Sequence, residues 1–514
     1  MIFWKGNRRY KQTCRQSIMS VQGFVNAQGI ILNWAVVGAV SLVLGVYAII
    51  APTLSRQWMV LSLAAVMFPF IVMIVGNVRR LLLAAILLDI PFQMDVYLFY
   101  REDTAQFGAL GGLMVSVTTM ALAILYALWF VERLTKAPEP RSRSLFRTSL
   151  PLGLYVAFGL LSMLAAQDIE LSIFQIFFLG QMCLLYIYVV GTVKSRQDIV
   201  FIITILLIGL VLESLIMIGL KIIGYNIKIG IIKAVIDGNR VSGTLTAPNI
   251  ASSYLSLTLA PAMGIILTRL DQKYKWLAVI AFGLGVIALF LTLSRGGWVT
   301  LVLSVAILCL LAWHRGWLPP TIPIAIVIIA ILVAILFQQA LMDRIFGDDG
   351  GSAHSRVPLM KIAFRIISDN PLLGVGINNY AIAMRPYLIL ESANVWLFTV
   401  HNKYLLTFAE IGTGGVIAYI WFLLATIRRG WQCWAFGDRL LSPLALGFAA
   451  AIAGQMIHMN VDIFNARPQV QLLWLVAGLI TAMHHLASEG PVMSPNTGQS
   501  KGHDMQVVQN KAVL

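Results

Sequence analysis

Charge is what this sequence has least of. Only 11% of its 514 residues are Asp, Glu, Lys or Arg, against about 25% in soluble domains. A chain of this length folded as soluble domains would lack the polar surface it needs. Acidic residues are scarcest, 22 against 37 Lys and Arg, for a net charge of +15. The excess does not gather into a basic patch but falls in short loops between apolar runs, which excludes nucleic acid as a partner. Cysteine is also rare: Cys14, Cys183, Cys309 and Cys433 show neither CxxC nor metal-ligand spacing, and none falls in an external loop. No disulfide is expected. A cleavable signal peptide is also lacking, since a long basic lead precedes the first apolar run near Ile31, which should act as a signal anchor.

What is present is hydrophobic sequence, 59% of residues, with a mean hydropathy of +0.84. A bilayer core takes about 20 apolar residues of helix. About fourteen such runs can be read, centred near residues 41, 67, 88, 119, 156, 183, 211, 257, 285, 306, 329, 414, 451 and 478. The third is short and interrupted by Asp89 and Pro91. Loop charges test this order. With the N-terminus (Lys5, Arg8, Arg9, Lys11, Arg15) inside, the inside loops hold Arg79-Arg80, Arg133 to Arg143, Lys194 and Arg196, Arg269 to Lys275, Arg315, and Arg428 to Arg439. The outside loops hold few cations, and Arg101, Asp168 and Asp462 lie there. The alternation follows the positive-inside rule and puts both termini in the cytoplasm.

The expected fold is therefore an all-α polytopic membrane protein of about 14 transmembrane helices, with one large extracytoplasmic loop containing short helices. Its parts are a cytoplasmic segment (1–30), an N-terminal helix group (31–135), a cytoplasmic linker (136–145) and central helices (146–337). The extracytoplasmic loop (338–400), C-terminal helices (401–487) and a disordered cytoplasmic tail (488–514) follow.

The long loop carries the chemistry. Ser355 precedes a helical pattern, Arg356-Val-Pro-Leu-Met-Lys-Ile-Ala-Phe-Arg-Ile-Ile367, and Ser368-Asp-Asn-Pro371 stops it. Arg356 thus sits at a helix N-terminus, where the dipole favours anions and a guanidinium can clamp a phosphate. The competing reading is a surface arginine on an interfacial amphipathic helix. Arg295, in Ser294-Arg-Gly-Gly297, occupies an external turn too short for a topological signal; it either binds phosphate or snorkels to headgroups. His401-Asn402 opens the twelfth span, where the histidine is a candidate base or a helix cap. Glu410 lies about 13 Å further along that helix, a functional candidate as an intramembrane carboxylate or a helix-packing group. Gly238-Asn-Arg240-Val-Ser-Gly-Thr-Leu-Thr-Ala-Pro-Asn249 precedes the eighth span as a second anion or sugar contact, or as a turn and cap. Gly374-Val-Gly376 lacks the strand of a nucleotide loop and reads as a turn, and Asp348-Asp349 does the same, without partners for a metal. Three external arginines and a histidine at one membrane level suit a diphosphate presented from the outer leaflet.

These elements, in order, resemble the O-antigen ligase and O-antigen polymerase superfamily: Thr292-Leu-Ser-Arg295-Gly, Ser355-Arg356-x-x-x-x-Lys361, Asn370-Pro-Leu-Leu-Gly-Val-Gly376-x-Asn-Asn-Tyr380 and His401-Asn-x-Tyr404-Leu-x-x-x-Ala-Glu410-x-Gly412. Arg240-Val-Ser-Gly-Thr with Pro248-Asn249 is similar to its upstream motif, and the resemblance spans roughly residues 200 to 430. It implies a metal-independent polytopic glycosyltransferase, without cofactor, in a bacterial inner membrane. The donor would be an undecaprenyl-diphosphate-linked glycan used on the external face, and the acceptor a glycan or lipid-linked hydroxyl. Ligation, polymerisation and protein glycosylation all occur in the superfamily. Arg295 and Arg356 would hold the diphosphate and His401 would activate the acceptor, with Arg240, Asn249, Asn402, Tyr404 and Glu410 as substrate-binding support. The span count exceeds the twelve of a typical ligase, which leaves an exopolysaccharide polymerase or a ligase with another acceptor equally open. The alternatives from other classes are a small-solute (inorganic carbon) transporter, for which Asp89, Glu213 and Glu410 are the mid-membrane candidates, and a non-catalytic partner of polysaccharide export.

Overall fold

The computed structural model describes residues 45, 76–135, 145–229, 232–325, 328, 335, 356–388 and 397–488. The expected spans near residues 41, 67 and 329 lie outside the described residues. So do the linker at 136–144, the Asp348-Asp349 turn, Ser352 to Ser355 and the tail after 488. The other expected spans fall on helices.

In chain order these are α1 (Val78–Phe92), α2 (Val117–Thr135), α3 (Leu145–Ser162), α4 (Ile169–Thr192), α5 (Arg196–Ile223), α6 (Pro248–Ile266), α7 (Gln272–Leu291) and α8 (Arg295–His314). Loop helix α9 (Arg356–Asp369) follows, then α10 (Lys403–Ala435), α11 (Leu441–His458) and α12 (Arg467–Ser488). Their starts are written locally. Asp168 caps α4 through its carboxylate, a Ser195–Asp198 capping box opens α5, and Ser294 and Asn402 cap α8 and α10. Among the described residues nine helices are long and apolar enough to cross a membrane, so the chain is a polytopic, mainly helical membrane protein. Helices α6, α11 and α12 are the most enclosed of these and form the centre, against which α8 and α10 pack.

One expectation needs correction. Helix α1, the third expected span, has only 15 residues, about 22 Å of rise where a hydrocarbon core measures about 30 Å. It nevertheless buries Leu82, Ile86, Leu87, Asp89 and Ile90. The all-α architecture also carries two small antiparallel sheets. An antiparallel pair, β1 (Asp95–Leu98) with β2 (Leu113–Ser116), links α1 to α2, with Val96 opposite Val115. Between α5 and α6 run β3 (Ile227–Ile229), β4 (Ile232–Asp237) and β5 (Arg240–Gly243), joined in that order. Both lie at the loop ends of helices, where hydropathy windows see only continuation of an apolar run, and the three-stranded one is rich in β-branched Ile and Val.

The loops sort into two faces, as the charges required. On one, Arg79 pairs with Glu132, Arg80 with Asp198 at 3.6 Å, and Arg196 with Asp438; Arg315 donates to the carbonyl of Ala435 at 3.2 Å. On the other, Arg101 pairs with Asp103, Asp168 and Glu170. There Asn378 exchanges hydrogen bonds with the backbone of Leu110, and Asn379 does so with that of Asp168.

The polar loop docks into the bundle on this second face. Helix α10 is broken at Gly412 (φ 69°, ψ −172°), and the carbonyl of Pro371 accepts from both the N–H and the hydroxyl of Thr413. Val375 N and Gly376 N donate to the carbonyls of Ala409 and Glu410. Gly374 and Gly376 turn with φ of +69° and +96°, a conformation that glycine adopts without strain.

Candidate functional site

The site lies where the second-face ends of α6, α7, α8, α10 and α11 meet. Arg240, first residue of β5, donates from Nε to the carbonyl of Thr292 at 3.1 Å and from its terminal nitrogen to Asn249 Oδ1 at 3.1 Å. Asn249 Oδ1 also accepts from the Ser294 hydroxyl at 3.2 Å. One amide oxygen thereby ties Arg240 to the cap of α8, whose first residue is the half-buried Arg295. The chain reverses between α7 and α8 through Leu293 in the left-handed region, φ 49°, which explains how so short a turn can carry a functional side chain.

Arg356 begins α9, an amphipathic helix burying Leu359, Ile362, Ala363 and Ile366 against Leu406 and Ala409 of α10. That packing brings Arg356 to His401. The histidine precedes the cap of α10: Asn402 accepts from the N–H groups of Tyr404 and Leu405 and donates to the carbonyl of Asn460 at 3.1 Å. Burial, and next the Arg356 guanidinium, hold the His401 imidazole below its ordinary range, with Asp462 and the Thr399 backbone opposing. A neutral imidazole beside a fixed cation can accept a proton while the cation meets developing negative charge.

The structure therefore joins Arg240, Asn249 and Arg295 in one cluster and Arg356 with His401 in another, and a residue that sequence reasoning missed bridges them. His458, the last residue of α11, is buried. A methyl group on Gly296 would lie 2.6 Å from its Nε2, and Arg356 and Asp462 act on it as they act on His401. Ser253, Gln455, Asp462 and Gln469 back it with hydrogen bonds. Gln455 and His458 three apart at a helix end was the available signal. Lys403 was missed as well. It is buried, donates to Asn465 Oδ1 at 2.5 Å and, with Tyr155, Gln175, Tyr419 and Trp474, lines a small enclosed cavity inside the bundle.

Three candidates sit outside the cluster or are already engaged. Asn402 uses both ends of its amide for capping and for Asn460. Tyr404 donates to the carbonyl of Met456 at 2.8 Å and fastens α10 to α11. The Glu410 carboxylate is buried beside the backbone of Asn378 and Tyr380 in the docked loop. The other two intramembrane carboxylates are held by hydrogen bonds, Asp89 by Thr118 and Arg467 and Glu213 by the N–H and hydroxyl of Thr244. Among the described residues no three His, Cys, Asp or Glu side chains group as a metal site.

Residues 280–420 match the model of a family described as O-antigen ligase, a stretch that includes Arg295, Arg356, His401 and Glu410 and leaves out Arg240 and His458. No curated protein matches the chain. Among solved structures, one described as the structural coordination of polymerization and crosslinking by a peptidoglycan synthase complex contains a similar chain. It is 18% identical with a TM-score of 0.37, over 66% of this chain and 98% of that one.

Proposed function

We propose that this chain, whose residues 280–420 match the O-antigen ligase family model, transfers or polymerises a glycan from an undecaprenyl-diphosphate-linked donor onto an acceptor hydroxyl at the external face of the bacterial inner membrane. The acceptor oxygen attacks the anomeric carbon of the donor sugar. The bond from that carbon to the phosphate oxygen breaks, and undecaprenyl diphosphate departs with the electron pair. His401 takes the hydroxyl proton, and Arg295, Arg356 and Arg240 supply the counter-charge for the diphosphate.

The observation that carries this reading is the electrostatic influence of Arg356 on His401. A half-buried imidazole held below its ordinary range by its surroundings and by the Arg356 guanidinium is suited to act as a base, and that guanidinium opens a helix. Support also comes from the engaged state of Asp89, Glu213 and Glu410. Of the three mid-membrane carboxylates that a transporter could use, Asp89 and Glu213 are hydrogen-bonded to the protein itself and Glu410 is buried against the docked loop.

The test is a cell-surface glycan profile of a deletion strain complemented with wild type or His401→Ala at matched protein level. Loss of anchored glycan, or collapse of chain length, rescued by wild type alone is expected, and the profile separates ligase from polymerase. Full rescue by His401→Ala would sink the assignment and favour a non-catalytic partner in polysaccharide export.

A further inference from the structure

His458 has a defined proton arrangement. Ser253 Oγ accepts from Gln469 Nε2 at 3.0 Å and from Gln455 Nε2 at 3.1 Å. The Gln469 amide is oriented from both ends: its Nε2 donates to Asp462 at 2.6 Å, and its Oε1 accepts from Ala466 N at 3.3 Å. A hydroxyl has two lone pairs and one proton. With both lone pairs occupied, the Ser253 proton points to the remaining neighbour, His458 Nδ1 at 3.2 Å. Gln455 Nε2 approaches the same nitrogen at 3.3 Å. With the Gln455 amide nitrogen on this side, Nδ1 is the acceptor and the neutral ring carries its proton on Nε2.

That Nε2 edge faces the first turn of α8. The space a side chain at position 296 would need is taken by the ring, with a methyl group there 2.3 Å from Cδ2 and 2.6 Å from Nε2. Among the described residues Nε2 has no hydrogen bond, and the ring is 2% exposed. A helix N-terminus, Arg295 and Arg356 all favour an anion there. A neutral imidazole pointing N–H into such a place adds a donor without adding charge.

We propose that His458 is a ligand of the donor diphosphate, giving its Nε2–H to a phosphate oxygen held beside Arg295 at the start of α8. The inference rests on the lipid-linked transferase reading and adds a substrate contact to it. Ser253, Gln455 and Gln469 are positioning residues, which keep the proton on the side that faces the substrate.

The full chain in lipid nanodiscs, with undecaprenyl diphosphate as the probe, tests this by equilibrium binding. Glutamine at 458 keeps an N–H near the Nε2 position, whereas asparagine keeps a polar group only near Nδ1. His458→Asn and His458→Ala should weaken binding about 10-fold or more, the scale of one hydrogen bond to a charged group. His458→Gln should stay within about threefold of wild type. Melting temperatures identify variants whose fold is damaged, and the Gln–Asn contrast decides the matter even when alanine is not tolerated. If Asn restores binding and Gln does not, or both weaken it equally, the ring serves only the Ser253 network and the proposal is overturned. It is also overturned if all three variants bind like wild type while Arg295→Ala weakens binding, an outcome that leaves the diphosphate reading intact. Absence of binding by wild type and Arg295→Ala alike removes that reading, and this inference with it.

Discussion

The Arg467 guanidinium grips Asp89 twice across 378 residues of chain, from one terminal nitrogen to the carboxylate at 3.0 Å and from the other to the backbone carbonyl at 3.0 Å. Its Nε lies 2.8 Å from Asp95. Burial pushes the Asp95 carboxyl above its ordinary range, and Arg467 pulls it back. One arginine at the start of α12 thus holds the end of the short α1 and the beginning of β1, within a bundle that excludes water.

Replacing that arginine leaves two buried carboxylates without a cation. Arg467→Met should cost about 3–5 kcal/mol, the usual penalty for breaking one side of a buried pair. Thermal unfolding in detergent measures it, and a melting temperature equal to wild type would show that the network contributes nothing.

The acidic limb of the transfer rate should lie below pH 6.5, because burial and Arg356 hold His401 under the ordinary imidazole value of 6.5 and only the neutral ring accepts a proton. Removing the guanidinium in Arg356→Met takes away a lowering influence, so the limb moves to higher pH, although the rate falls. Asp462→Asn removes a raising influence, so the limb moves lower. Stability follows the same sign. A folded-state value below the unfolded one gives a contribution present above pH 6.5 and lost as pH falls through the folded value. Profiles of the three proteins that superimpose would rule out this electrostatic coupling.

Asn249 supports Arg240 and the α8 cap through one oxygen, so Asn249→Ala should lower kcat/KM for the lipid-linked donor about 10-fold, with little change in melting temperature. Asn249→Asp keeps the acceptor and should recover most of the loss. Steady-state kinetics with both variants checks this, and unaltered efficiency in the alanine variant would mean that Asn249 does not orient Arg240.

Gly412 is where the loop enters α10. A methyl group there would stand 1.9 Å from the carbonyl oxygen of Leu372, on a backbone with φ of +69°. Gly412→Ala should therefore cost about 3 kcal/mol or more and release the docked loop. Limited proteolysis between residues 370 and 400 should become faster than in wild type; unchanged protection would show that the break in α10 does not depend on glycine.

By itself the sequence determined the class of the protein, the helices over the described spans and the segregation of loops onto two faces. Hydropathy and loop charge act along the chain, and local windows capture them. It also singled out Arg295, Arg356 and His401, because a charged group at a helix start in an external turn is conspicuous in a chain so poor in charge. Tertiary structure decided the rest. The short α1, the two hairpins and the break at Gly412 depend on partners far away in sequence. Asn402, Tyr404 and Glu410 stand in the same helix as the site, yet their rotation about its axis turns them to a cap, to α11 and to the docked loop. His458 and Asp462, inconspicuous at the end of an apolar run, reach the site only because α11 packs between α6 and α8. Which polar side chains converge is set by helix rotation and crossing, and neither is recorded in a one-dimensional pattern.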